Sequence, residues 1–183
     1  AHYSMWLKKI KPNSRTICVE PDEKFLNVGK HNFLKNGMES EFVQEFVSKN
    51  GFQLDEFLDK SNIAHLNILH SDIQGYEGDL LLGASKTLEN KLVDYIFIST
   101  HSQTGHYSIV DTLKKHNYLI EVSSDVDFET TSFDGFVFAS SPNVKRLFKN
   151  FVPLGRNQIL KTNSKELLEY LSTTNKCQEK YTK

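Results

Sequence analysis

Cysteine, long apolar runs and an excess of charge of one sign are all scarce in this 183-residue chain. Its two cysteines, Cys18 and Cys177, lie too far apart in sequence for a metal or redox motif. So few cysteines fit a reducing compartment, and we expect the cytoplasm. No apolar run approaches the roughly 18 residues of a membrane-spanning helix, so we expect no membrane span.

The charge balance and the absence of common motifs exclude several classes of protein. Lys and Arg total 22 against 23 Asp and Glu, which gives no electrostatic reason to expect nucleic acid or an anionic membrane as the main partner. The chain also has no Gly-x-Ser-x-Gly elbow, P-loop, His-Glu-x-x-His or Gly-x-Gly-x-x-Gly motif.

What the chain does contain is the pattern of one soluble α/β domain. Hydrophobic residues make up 38% and charged residues 25%, as in ordinary globular proteins. Strand and helix patterns alternate through residues 16–116, which predicts parallel βαβ units. A pair of strands after the last of these helices predicts an antiparallel edge. We assign residues 1–175 to a single domain and residues 176–183 to a polar tail.

The predicted elements follow from apolar periodicity and turn residues. Strands are predicted at 16–20, 41–48, 66–71, 93–99, 118–122 and 133–140. Helices are predicted at 3–10, 22–36, 54–59, 77–88, 107–116 and 144–151, and a capped helix after Asn163. Inward faces are predicted at Met5, Trp6 and Ile10 in the first helix, at Phe25, Val28, Gly29 and Phe33 in the second, and at Leu80, Leu81, Ala84 and Leu88 in the helix at 77–88.

Polar residues follow three of the predicted parallel strands. Glu20, Asp72 and His101 each stand at a carboxyl end, and in an open α/β sheet these ends share one crevice where ligands bind. The carboxylate of Glu20 is suited to accept hydrogen bonds from a ribose diol. It would otherwise be an acid favoured at a helix N-terminus.

Asp72 and two histidines are the candidates for chemistry. Asp72 follows an apolar run, so it is partly buried and would hold a cationic cofactor, position a hydroxyl or bind a metal; otherwise it accepts hydrogen bonds from the next helix. His101 and His106 flank a loop at 102–105, and either could act as a general base. A metal site that joins them to Asp72 is conceivable, but the spacing is unspecific and we predict none.

Three segments, taken together, resemble the FkbM family of S-adenosylmethionine-dependent methyltransferases. They are Val19-Glu20-Pro21-Asp22, Leu54-Asp55-Glu56-Phe57-Leu58 and Asp72-Ile73-Gln74-Gly75-Tyr76-Glu77, and they occur in the order that this family shows. The resemblance covers roughly residues 1–140.

The resemblance implies a class I, Rossmann-like α/β fold of three layers. Its sheet would be mostly parallel with a terminal antiparallel strand, and helices would cover both faces. The cofactor would be S-adenosyl-L-methionine, bound by Glu20, Pro21, Asp72, Ile73 and Gln74. The reaction would be methyl transfer to a hydroxyl of a sugar or a small natural product.

For catalysis we predict Asp72 and His101, and the choice between them as the general base stays open. We predict Gln103 and His106 on the acceptor side. The family's first strand and glycine-rich loop are expected before Ala1. Two alternatives stay open: a non-catalytic Rossmann-like binding or assembly module without the glycine loop, and an α/β enzyme that uses another nucleotide. A homo-oligomer is also possible.

Overall fold

Within residues 1–148 and 153–179, which the computed structural model describes, the chain forms a mixed α/β architecture of two sheets and eight helices. The strands are β1 Ile17–Val19, β2 Glu41–Val43, β3 Leu66–Ser71, β4 Val93–Thr100, β5 Leu119–Ser124 and β6 Gly135–Ser140. The helices are α1 His2–Ile10, α2 Glu23–Lys35, α3 Leu54–Lys60, α4 Glu77–Leu82, α5 Ser85–Glu89, α6 Gln103–Lys115, α7 Arg156–Ile159 and α8 Ser164–Glu179.

The strands form two sheets, so the prediction of one mostly parallel sheet is only partly right. Strands β1 and β2 make a two-stranded parallel sheet, and the other sheet has the order β3-β4-β6-β5. In it β3 and β4 are parallel, whereas β6 runs antiparallel to both of its neighbours. In the described part of the chain, one edge of β1 and one edge of β3 take no strand partner.

Helix α1 contacts one strand of each sheet. The Ser4 hydroxyl is 3.5 Å from the Cys18 sulfur of β1, and the ring of Tyr3 is 4.3 Å from the ring of His70 of β3. Neighbouring residues of one helical turn therefore contact strands of both sheets. Among the described residues β1 and β3 are not paired with each other, and each contacts α1 through a side chain.

Strands β5 and β6 lie at one end of the four-stranded sheet. The pairing of β5 with β6 is antiparallel as predicted, but β6 lies inside the sheet and β5 forms its edge. Val137, Phe138 and Ala139 of β6 are at most 1% exposed, while Leu119 of β5 is 39% exposed. The more apolar strand takes the inner position because it buries both of its faces.

Two helices differ from their predicted bounds. The helix predicted at 77–88 is broken into α4 and α5 at Gly83, where a β-carbon would lie 2.7 Å from the Gln53 amide oxygen. Helix α6 begins at Gln103, four residues early, because the Ser102 hydroxyl caps it by accepting the Gly105 N–H at 3.1 Å.

The predicted inward faces of the first two helices are partly wrong. None of the nine residues of α1, all of which are described, is buried, and Trp6 and Ile10 are 60% and 74% exposed. In α2, Phe25 and Val28 are exposed, and the buried residues are Leu26, Gly29 and Phe33. These helices cover the small sheet, whose short strands offer little surface to pack against.

The main core lies against the four-stranded sheet. Its buried cluster includes the predicted residues Leu80, Leu81, Ala84 and Leu88. The cap of α8 is also as predicted, because the Asn163 carboxamide oxygen accepts the N–H groups of Lys165 and Glu166. No helix is present over residues 144–148, and the rest of the helix predicted at 144–151 lies outside the described residues.

Candidate active site

A buried carboxylate holds the turn that follows β3. Gln74 and Gly75 both have positive φ angles, +57° and +103°, and glycine adopts such backbone without strain. The Glu77 carboxylate accepts the N–H groups of Ile73 and Gly75, each at 3.1 Å. Its side chain is only 3% exposed. The last acid of this turn therefore fixes the backbone that carries Asp72.

His101 follows β4, the strand beside β3, and its ring lies between two carboxylates. Nε2 is 3.1 Å from Asp72 Oδ1, and Nδ1 is 3.0 Å from Glu77 Oε1. The second pair is within ion-pair distance, but its direction lies outside that of a hydrogen bond. Because Asp72 is 41% exposed and Glu77 is 3% exposed, Nε2 faces the open side of the site and Nδ1 the closed side.

A third carboxylate completes this cluster. Asp134 Oδ1, just before β6, is 3.7 Å from His101 Nε2. Among the described residues, none of the three carboxylates forms an ion pair with Lys or Arg. One imidazole is therefore surrounded by three acids, and the site carries an excess of negative charge.

The structure brings two predicted residues, Asp72 and His101, into direct contact. It adds Glu77 and Asp134, which we did not predict as site residues. Glu77 had a signal, because it ends the Asp72–Glu77 segment on which the family resemblance rests. Asp134 had none, because it lies at the start of a segment predicted as a strand.

Glu20 ends β1 in the small sheet. Its Oε1 accepts the N–H of Asp22 at 3.0 Å, while Oε2 has no hydrogen-bond partner among the described residues. Asp22 in turn caps α2 by accepting the N–H groups of Lys24 and Phe25. A half-buried carboxylate with one free oxygen therefore stands at this strand end, where we predicted a ligand contact.

Gln103 uses both ends of its amide inside the protein. Its nitrogen donates to Asp125 Oδ2 at 2.9 Å, and its oxygen accepts the N–H of Asp127 at 3.0 Å. Burial raises the pKa of Asp125, but hydrogen bonds from Gln103 and from the backbone of Phe128 and Glu129 outweigh it and hold the pKa below its ordinary value. Gln103 thus anchors the loop that begins at Asp125.

His106 lies on α6, so the prediction that it flanks a loop is wrong. It is 2% exposed, with Nδ1 2.9 Å from the Thr100 hydroxyl and Nε2 2.9 Å from the Ser123 hydroxyl. Burial lowers its pKa, and the nearby charges of Asp125 and Glu129 only partly oppose this. His106 therefore ties the ends of β4 and β5 together as a neutral imidazole.

His101 and His106 contact different side chains. His101 faces Asp72, whereas both nitrogens of His106 are bonded to hydroxyls. In the described part of the chain, no group of three or more His, Cys, Asp or Glu side chains is arranged to hold a metal ion.

None of the helices described is long and apolar enough to cross a membrane.

Fold and site together define an α/β protein whose acid–imidazole cluster lies at the carboxyl ends of parallel strands, the usual place for a ligand. Residues 9–120 match the family model of the methyltransferase FkbM domain. This match spans more than half of the chain, so the protein belongs to the FkbM family of methyltransferases, as its motifs predicted. The chain has no match among curated proteins and none among solved structures.

Proposed function

We propose that this protein transfers the methyl group of S-adenosyl-L-methionine to a hydroxyl oxygen of a sugar or another small molecule. The observation that supports this best is His101, whose Nε2 lies on the open side of the site, 3.1 Å from Asp72. A hydroxyl must lose its proton as it accepts a methyl group, and an imidazole is suited to take that proton near neutral pH. Membership of the family supports methyl transfer in general. The position of the His101 imidazole supports a hydroxyl as the acceptor.

The cofactor fits the residues at two places. Glu20 has a free carboxylate oxygen at the end of β1 that can accept hydrogen bonds from the ribose hydroxyls. The excess negative charge around His101 suits a positively charged ligand. When bound, the cofactor supplies a methyl group on a cationic sulfur. Pro21, Asp72, Ile73 and Gln74 complete the edge that we propose for it.

For the fold, we propose a Rossmann-like arrangement in which both sheets belong to one layer with helices on both faces. Strands β1 and β3 each have an open edge, and α1 contacts both strands. Such an arrangement would bring Glu20 and Asp72 to the same side of the layer. The free thiol of Cys18 fits the reducing conditions of the cytoplasm.

The acceptor side is proposed to be formed by the loop over residues 125–134. Gln103 and His106 would shape this side by holding the loop and the strand ends, since their polar atoms are already bonded within the protein. Phe133 is 96% exposed and directly precedes Asp134. An apolar ring beside hydrogen-bonding acids is an arrangement suited to a small acceptor.

Cofactor binding is tested by calorimetric titration of the full-length protein with S-adenosyl-L-methionine. We expect Glu20→Ala to weaken binding roughly tenfold to a hundredfold, because a hydrogen bond to a charged group contributes about 1.5–3 kcal/mol. Glu23→Ala, an exposed acid three residues further on, serves as the control. Failure of the unaltered protein to bind the cofactor would favour the non-catalytic binding module.

The chemistry is tested by following labelled methyl groups into a panel of hydroxyl compounds. We expect His101→Gln to lower kcat about a hundredfold or more, as for loss of a general base. His31→Gln removes an exposed histidine of α2 and should leave kcat unchanged. Equal rates for His101→Gln and the unaltered protein would show that His101 is not the base.

A further inference from the structure

Two separate parts of the chain hold the loop over residues 125–134, which is proposed to face the acceptor. One is Gln103 of α6, whose amide bonds to Asp125 and Asp127. The other is the segment over residues 155–157, at the start of α7, which we call the clasp. The clasp takes no part in the proposed chemistry itself.

Four consecutive carbonyl groups of the loop, at residues 126–129, accept hydrogen bonds from the clasp. The Arg156 side chain donates to the first two, and the Arg156 backbone N–H donates to the fourth at 2.8 Å. The Asn157 N–H donates to the third at 3.4 Å. Because these carbonyl groups belong to a loop, the clasp supplies the donors that a regular helix or strand would otherwise provide.

Gly155 permits the close approach of the clasp to the loop. It is buried, and a β-carbon at this position would lie 3.0 Å from the Glu129 carbonyl oxygen and 3.1 Å from the Glu129 Cα. Both are backbone atoms, so a side chain at residue 155 would push the loop away from the clasp.

Thr130 links the held part of the loop to the candidate active site. The N–H of buried Thr130 donates to the Asp125 carbonyl oxygen at 2.8 Å, and its hydroxyl donates to the Asp134 carbonyl oxygen at 2.7 Å. The Asp134 carboxylate is 3.7 Å from His101 Nε2, and the neighbouring Phe133 is 96% exposed. A continuous run of backbone and hydrogen bonds therefore connects the clasp to Asp134.

We propose that Gly155 and Arg156 are positioning residues that hold the loop as a preformed wall for the acceptor, with Phe133 and Asp134 in place before the acceptor binds. This inference rests on the proposed function. Asp134 offers oxygens that accept hydrogen bonds from acceptor hydroxyls, and Phe133 offers an apolar surface. A wall that is already ordered binds its ligand more tightly than one that must first be ordered. The clasp therefore lowers the KM of the acceptor and leaves the KM of the cofactor unchanged.

Hydrogen exchange of the full-length protein tests whether the clasp holds the loop. In Arg156→Ala and in Gly155→Ala we expect the amides of Glu129 and Thr130 to exchange about tenfold faster, while the amides of β4 stay unchanged. Arg156 is exposed, so its truncation leaves no buried cavity. Arg156→Lys keeps a donor and should recover part of the protection. A general loss of stability would instead speed exchange in β4 as well.

Kinetics tests whether the loop forms the acceptor wall. The acceptor used is the compound of the hydroxyl panel that the unaltered protein methylates fastest. We expect Arg156→Ala and Gly155→Ala to raise its KM about tenfold, with no change in the KM of the cofactor. Lys161→Ala removes an exposed basic side chain just after α7, and this control should change neither the exchange rates nor the KM values.

The two measurements separate the ways in which the inference could fail. Unchanged exchange of the loop amides in Arg156→Ala and Gly155→Ala would show that the clasp does not hold the loop. Faster exchange with an unchanged KM of the acceptor would show that the loop is not the acceptor wall. If exchange is faster but the unaltered protein methylates no compound, the clasp still holds the loop, and the acceptor role fails together with the proposed function.

Discussion

His106 is a buried imidazole whose protonation opposes folding. Burial lowers its folded pKa below the ordinary value of about 6.5, so between these two values the unfolded chain binds more protons than the folded protein. Stability is therefore complete above about pH 6.5 and is lost as the pH falls toward the folded pKa. Burial lowers the pKa of His70 as well, which adds a contribution of the same sign.

We expect His106→Gln to reduce the loss of stability between pH 8 and pH 5.5. The measurement is the urea midpoint at both pH values, and the quantity compared is the difference between them, so a general loss of stability in the variant does not matter. His31→Gln, which removes an exposed histidine, should keep the full pH dependence. An unchanged difference in His106→Gln would show that protonation of His106 is not linked to unfolding.

Site residues that are positioned by local sequence could be predicted, and those positioned by distant contacts could not. Glu20, Asp72 and His101 follow apolar strands, so strand ends alone predicted where they lie. His106 was placed in a loop because the hydroxyl cap of Ser102 starts α6 earlier than the apolar periodicity indicates. The place of Asp134 beside His101 depends on β6 pairing with β4, a contact between segments far apart in the chain.

At the scale of elements, Asp55 supplies a helix cap that α5 cannot provide for itself. Ala84 stands at the N-cap of α5 and has no side-chain acceptor. The Asp55 carboxylate, from α3, accepts the N–H of Lys86 and both the N–H and the hydroxyl of Thr87, at 2.6–2.9 Å. One acid of the segment Leu54–Leu58 thereby joins two helices at the break beside Gly83.

Asp55→Ala is expected to lower the free energy of unfolding by about 1–2 kcal/mol, the usual cost of losing a helix cap. Asp55→Asn retains one acceptor oxygen and should recover part of this loss. Glu56→Ala is the control, because Glu56 is exposed and forms a surface ion pair with Lys60 at 3.2 Å; such a pair contributes about 0–1 kcal/mol. The free energy of unfolding of all three variants is measured by urea unfolding. Equal urea midpoints for Asp55→Ala and Glu56→Ala would show that Asp55 does not stabilise α5 as a cap.

Element types were predicted better than the sheet they form. Apolar segments bounded by turn residues predicted β3 and β4, and β5 and β6 were predicted as an antiparallel pair, which the structure confirms. The break of α4 from α5 at Gly83 was not predicted, and apolar periodicity does not show that Gly83 lies against Gln53. The inner place of β6 was also not predicted, because it depends on the pairing of β6 with β4, which lies far away in the sequence.

At the scale of the whole molecule, the two sheets differ in how firmly they are held. The residues of β1 and β2 are only partly buried or exposed, whereas Ile96 and Ile98 of β4 are fully buried within the main core. Regions with little buried apolar surface open at lower free energy than the core. Glu20 stands on the weaker sheet and His101 on the stronger one, so a ligand that contacts both would stabilise the junction between them.

Hydrogen exchange can measure this difference and its response to the cofactor. In the free protein we expect the amides of Cys18 and Val19 to exchange at least about tenfold faster than those of Ile96 and Ile98, a gap of about 1.4 kcal/mol. Saturating S-adenosyl-L-methionine should slow exchange in β1 most, because a ligand stabilises the states that bind it. The amides of α8 serve as an internal control and should not change. The contrary outcome is that the cofactor slows exchange in β4 and leaves the exchange rates in β1 as they are in the free protein. That result would mean that the cofactor does not contact both sheets, and the contact assigned to Glu20 would be wrong.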